Sequence, residues 1–296
     1  MKKSPIIITV CVVSLLLAGM AANAKVSQEE AAKLGKELTP MGAIQAGNKE
    51  GTIPAWEGGI KTPPDNYKPG MHHPDPYPGD KALFKITAQN ADQYADKLSP
   101  GQVALLKRYP DSWWMNVYKT RRTASFPDRI YEAAIQNAAM AELTGEGYGV
   151  KNTSEAVPFP IPKEGVEAVW NHLLRYRGQS VEQEFIQVAP TAGGQYNIVT
   201  IDQKVLFPYT QPGATIESIN NRALYFLQTV VSPARLAGQL LLVHDTVDQV
   251  KEPRKAWTYN PGQRRVRRAP NVAYDNPGTA SDGQRVSDQL DMFNGA

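Results

Sequence analysis

The chain has 296 residues, with 32 basic against 29 acidic side chains, a formal charge of +3 and a single cysteine. That charge is too slight for a general nucleic-acid binder, and a lone thiol rules out a disulfide framework. A chain of this length buries enough surface to hold a core without cross-links.

Met1 to Ala24 reads as an export leader. Lys2 and Lys3 supply the positive end, Ile6 to Leu17 an apolar run broken by Thr9 and Ser14, and Ala22-Asn23-Ala24 a small-residue cleavage site. The run is short for a bilayer span. Cys11 leaves with the leader, so the expected mature chain has no thiol, and its basic count falls by two, from 32 to 30, against 29 acidic residues. The expected location is the periplasm, with cleavage after Ala24 and at most peripheral contact with the outer membrane.

Val26 to Leu38 is expected to be a short amphipathic helix, with Ser27 and Glu30 as a capping box. From Pro54 to Asp80, seven prolines and four glycines in 27 residues predict an extended segment without regular structure. Its His72-His73 pair is read as part of a solvated turn, because adjacent side chains diverge in extended chain and no further ligand stands nearby; no metal is expected. The expected organisation is therefore the leader (1–24), an N-terminal helix and extended segment (25–80), and one α+β domain (81–296).

Helical signals dominate from Thr87 to Leu143. Thr87 and Ser99 are expected N-caps, Pro100 opens one helix and Pro110 closes it, and Trp113 to Thr123 reads as a first strand. Pro127-Asp128 opens a longer helix with Ile130, Ala134, Ala138 and Ala141 on one stripe. Lys163 to Arg177 has the clearest helical period, with Val166, Val169, Trp170 and Leu173 on one side and Gly178 as its stop.

Beyond Ser180 the period becomes two. Strands are expected near Val181–Val188, Tyr196–Ile201, Lys204–Tyr209, Arg222–Val231 and Leu236–Val247, followed by a hairpin around Asn260-Pro261-Gly262-Gln263. A two-residue loop would set Trp257 opposite Val266 and Tyr259 opposite Arg264; a longer loop would shift that register. Helices gathered before a run of successive strands predict an α+β fold with an antiparallel meander.

Two strands are apolar on both faces, whereas an antiparallel sheet usually keeps one face polar. Either plain core covers both sides, or one face lines a cavity for a hydrophobic ligand. The arginines after the hairpin alternate, Arg264 and Arg268 toward one face and Arg265 and Arg267 toward the other. They read as a solvated, edge-protecting strand end or as a contact for an anionic lipid headgroup or an acidic partner. No serine elbow, zinc-protease motif, phosphate loop or dinucleotide fingerprint is present, and His244-Asp245 cannot act together because strand neighbours face opposite ways. No enzyme, catalytic residue or cofactor is expected.

Three blocks, Leu34 to Gly59, Pro158 to Gly178 and Arg254 to Asp275, resemble those of domain-of-unknown-function family 1329. These are exported Gram-negative proteins labelled outer-membrane lipoprotein-sorting proteins and grouped with the LolA/LolB-like carriers. The resemblance implies a curved antiparallel sheet, an unclosed half-barrel with helices covering its mouth, around an apolar cavity. It implies a carrier of a lipid, a lipoprotein acyl chain or another hydrophobic ligand. Family members continue past the equivalent of Leu290 to Gly295, so C-terminal strands are expected to be missing. The cavity lining expected on this basis is Leu224, Phe226, Leu240 and Leu242, with Trp257 and Tyr259 from the hairpin, and Arg264 and Arg268 placed for an anionic headgroup or partner. The opposite parity would use Tyr225, Leu227, Leu241 and Val243. Two other functions fit the same sequence: a periplasmic partner of an outer-membrane barrel or export system with no ligand of its own, and a hydrolase built from scattered residues.

Overall fold

A computed structural model describes residues 26–269 and 275–290. The expected leader and the final residues, 291–296, lie outside this range. The chain divides into two compact units, one spanning Ile44–Phe126 and the other formed by the segment up to Ala43 with the chain from Pro127 onward.

The unit Ile44–Phe126 is built around a small core of Ile86, Ala91 and Leu106, with Trp113, Met115 and Val117 packed on it. Helix α2 (Pro100–Arg108) starts at a reciprocal cap: the Gln102 amide N–H donates to Ser99 Oγ at 3.2 Å and the Ser99 N–H donates to Gln102 Oε1 at 2.9 Å. Two three-residue strands, β1 (Phe84–Ile86) and β2 (Met115–Val117), pair antiparallel. The strand expected over Trp113 to Thr123 is thus confined to its first half. The proline-rich stretch has no regular element of its own and is tied down by polar bonds. Trp56 Nε1 donates to the Ala124 carbonyl at 2.9 Å, and Arg121 donates to both carboxylate oxygens of Asp80, at 2.6 and 2.8 Å. Gly59 is obligatory there, because a Cβ would stand 2.3 Å from the Ala124 oxygen.

In the other unit the expected N-terminal helix is reduced to α1 (Gln28–Ala31), but its Ser27–Glu30 capping box forms as the spacing predicts. Helix α3 (Asp128–Met140) buries Ile130, Ala134 and Ala138, the expected stripe, and also Asn137. The sequence reading missed Asn137. Its amide donates to the Ser154 and Val157 carbonyls and accepts from the Ser154 N–H, so a buried polar side chain is fully employed in fixing the following loop. A hairpin of β3 (Glu142–Thr144) and β4 (Gly149–Lys151) follows. Helix α4 (Gly165–Leu173) is shorter than the expected Lys163 to Arg177, and Gly178 lies beyond its end with φ of 96°.

Six strands then form one antiparallel meander: β5 (Ser180–Val188), β6 (Ile198–Leu206), β7 (Arg222–Ser232), β8 (Leu240–Thr246), β9 (Lys255–Asn260) and β10 (Arg265–Arg268). They lie side by side in sequence order, and β5 and β10 do not pair, so the sheet is open. The fold is α+β. Strand β6 corrects the expectation of two strands broken near Asp202: Asp202 and Gln203 pair with Glu184 and Gln183 without interruption. The polar pair Asp202-Gln203 continues the strand's period of two and does not end it. Trp170, Leu174, Phe159, Tyr209, Ala223 and Val247 form the main core, which packs the end of α4 against the chain leaving β6 and β8 and the start of β7. A final short helix, α5 (Ser287–Leu290), closes the described chain.

Candidate functional site

The register decides which apolar side chains share a face, because residues directly opposite in an antiparallel pair point the same way. Phe226 lies opposite Val205 on one side and Val243 on the other, and Leu224 lies opposite Asp245. Leu227 lies opposite Leu242, and Leu242 and Leu240 lie opposite Trp257 and Tyr259. The expected lining is therefore divided between two faces. Leu224 and Phe226 belong with Leu241 and Val243, while Leu240, Leu242, Trp257 and Tyr259 belong with Tyr225 and Leu227. The β7–β8 connection sets a register in which even-numbered residues of β7 share a face with odd-numbered residues of β8.

The first face carries a cavity of about 670 Å³. Its apolar wall consists of Phe185, Val205, Leu224, Phe226, Leu241 and Val243. Across its floor runs a row of three amides, Gln183 opposite Gln203 and Gln203 opposite Gln228 on consecutive strands. Each glutamine has apolar residues two positions away on the same strand and face, a signal present in the sequence that the sequence reading missed. The segment from Asn276 to Ser287 contributes to the opposite wall. It is held by Gln187 Nε2, which donates to the Thr279 carbonyl at 2.8 Å, and by Ala280 packed on the Val199, Ile201 and Val230 cluster.

Charge enters this cavity from arginine. Arg177, Arg254 and Arg285 all line it, against a single lining carboxylate, Asp245. Arg254 holds Asp245 at 2.7 Å, with both side chains 13% exposed. The described lining includes hydroxyls but no histidine, lysine or cysteine. His244 is on the other face, as strand alternation predicts, with its ring edge-on to Tyr225 at 4.7 Å and Trp257 at 4.8 Å. Burial, then the neighbouring Arg222 and Lys255 cations, hold its pKa below the ordinary imidazole value.

The second face bears a shallower apolar recess of about 360 Å³, lined by Leu227, Leu240, Leu242, Trp257, Tyr259 and Val266. The hairpin that borders it has a four-residue loop, Pro261 to Arg264, so Tyr259 meets Val266 and Trp257 meets Arg268. Asn260 Oδ1 accepts from the Gly262 and Gln263 N–H groups and stabilises the longer turn, with Arg264 in the left-handed region at φ 52°. Arg264 is thus a turn residue, and the expected pairing of Arg264 with Arg268 on one strand face does not occur. Among the described residues no group of three or more His, Cys, Asp and Glu is placed to hold a metal ion, and no helix is long and apolar enough to cross a membrane.

A family model described as a protein of unknown function, DUF1329, matches residues 85–296. The uncharacterized protein PA3922 of Pseudomonas aeruginosa is 49% identical over all 296 residues, and this chain spans 65% of that protein's length. Two solved structures overlap more loosely, each with a TM-score of 0.31. One is a DUF1329 family protein from Desulfovibrio piger, 16% identical, matching 40% of this chain and 44% of its own. The other is a domain from Vibrio parahaemolyticus provisionally named for outer membrane lipoprotein sorting, 17% identical, matching 43% of this chain and 47% of its own.

Proposed function

The chain belongs to the DUF1329 family, a membership that specifies no activity, and from the site we propose a carrier or binding protein that holds a hydrophobic or amphiphilic small molecule against the inner face of its open sheet. The observation that carries this reading is the cavity of about 670 Å³ walled by Phe185, Val205, Leu224, Phe226, Leu241 and Val243. That volume lies within the roughly 300–1,000 Å³ common for ligand sites, and a mostly apolar wall with a few convergent polar groups is their usual composition. An acyl chain, free or borne by a lipoprotein, has the right chemistry for such walls. The leader-like start, Lys2 to Ala24, supports a carrier that works in the cell envelope. We read the role as non-catalytic: Asp245, the carboxylate among the described lining residues, is engaged by Arg254.

Native mass spectrometry of protein purified from a periplasmic extract, followed by solvent extraction, tests this reading. A discrete hydrophobic adduct near one-to-one is expected. Leu241→Asp should abolish it, because an unpaired carboxylate in the cavity wall opposes an apolar ligand, whereas Leu242→Asp, one residue along and on the other face, should retain it. A clean apo mass from folded protein, or an adduct that survives Leu241→Asp and is lost in Leu242→Asp, would overturn it; circular dichroism establishes that each variant folds.

A further inference from the structure

We infer that the ligand of this cavity is an anionic amphiphile, with a carboxylate or phosphate head received by Arg285 and a tail along Leu224, Phe226, Leu241 and Val243. This rests on the carrier reading and specifies the chemical class of its cargo.

Charge balance is the first support. Three arginines, Arg177, Arg254 and Arg285, and one aspartate are the charged side chains among the described lining residues. The aspartate is already engaged: Arg254 donates to both oxygens of Asp245, Nε to Oδ1 at 3.2 Å and Nη2 to Oδ2 at 2.7 Å. Its charge is thus matched by its own partner, Arg254.

The surroundings of Arg285 are the second support. Its Nη2 donates to Gln187 Oε1 at 3.0 Å, a neutral acceptor, and among the described residues no carboxylate pairs with it. The guanidinium is packed against Gly278, where an added Cβ would stand 2.9 Å from Cζ and Nη2. Contact with backbone on one side and the bond to Gln187 on another hold the planar fork in place beside the cavity. Burial lowers its pKa from the ordinary guanidinium value, the effect of desolvation without a compensating anion. A guanidinium offers five donors in a plane that matches carboxylate or phosphate, and a half-dry cation lacking a counterion gains most from acquiring one. The amides of Gln183, Gln203 and Gln228 supply further donors and acceptors in the same cavity, so a head group that enters need not lose its hydrogen bonds.

The test uses the neutral fluorophore N-phenyl-1-naphthylamine as a reporter of the cavity and displaces it with three compounds that share one tail: dodecanoate, dodecyl phosphate and dodecanol. Charge-assisted hydrogen bonds predict that one or both anions compete at concentrations at least about tenfold below dodecanol. Preference for dodecanoate identifies a carboxylate head, and preference for dodecyl phosphate a phosphate head. Arg285→Gln should bring the anions to the level of dodecanol while leaving dodecanol itself unchanged, and Arg285→Lys should keep part of the preference. Equal competition by dodecanol in the wild-type protein overturns the anionic head group and leaves the carrier reading standing, as does a preference that survives Arg285→Gln. Fluorophore uptake that is absent, or insensitive to Leu241→Asp, removes the carrier reading and this inference with it.

Discussion

Glu252 accepts from two cations at once. Both Nη atoms of Arg222 donate to it, at 2.7 and 2.9 Å, and so does Lys255, which joins the start of β7 and the start of β9 through the loop leaving β8. Hydrogen bonding to Arg222 first, and then to Lys255, holds its carboxyl near pKa 2 against an ordinary 4.5. A carboxyl whose folded pKa is depressed binds fewer protons in the native than in the unfolded state across that interval. Its contribution is therefore complete above about pH 4.5 and is lost as pH falls toward 2. Urea midpoints measured through this window should fall with pH, and Glu252→Gln should flatten that part of the profile. Identical profiles for variant and wild type would mean that other carboxyls dominate the acid limb.

At the scale of elements, what the sequence makes legible follows from how local each determinant is. The Ser27–Glu30 and Ser99–Gln102 caps form at the positions their spacing predicts, because a capping box closes within four residues. Strand β5 is recognisable from its alternation, and β7 and β8 from their apolar runs. Strands β1 to β4 are three residues each, too short to display any period, and exist only through their partners. The cavity was half legible: strands apolar on both faces left plain core and a cavity as alternatives, and the assignment of Leu240 and Leu242 to the face of Leu224 and Phe226 failed because register belongs to the turn between strands, not to either strand. Arg285 had no sequence signal at all, since it sits in irregular chain placed by distant bonds such as Gln187 to Thr279. Strand β10 shows one determinant that is local and visible. Arg265, Arg267 and Arg268 are exposed, and among the described residues no strand pairs with its outer side. Positive charge there discourages edge-to-edge pairing. The double change Arg265→Thr with Arg267→Val should raise the sedimentation coefficient at equal concentration through self-association; an unchanged value would mean that the arginines do not guard this edge.

For the whole molecule, an open sheet that carries a cavity on one face leaves that face to be completed by something else. The Asn276 to Ser287 segment supplies part of the missing wall, and a bound tail would supply another part. Ligand binding to the native state alone stabilises by RT ln(1 + [L]/Kd), about 2.7 kcal/mol when free ligand is at 100 times Kd. For a protein of this size each kcal/mol raises Tm by roughly 2–4 °C, so saturating dodecanoate should raise the calorimetric transition by about 5–10 °C. All of the described lining residues lie between Arg177 and Ser287, and the unit Ile44–Phe126, with its own core around Leu106, contributes none. The shift therefore belongs to the transition of the unit that contains the sheet. It should vanish in Leu241→Asp, where the wall is disabled, and persist in Leu242→Asp, where only the opposite face is altered. A shift of equal size in both variants would show that the amphiphile stabilises the protein from somewhere other than this cavity, because no change confined to the second face can substitute for a wall residue of the first.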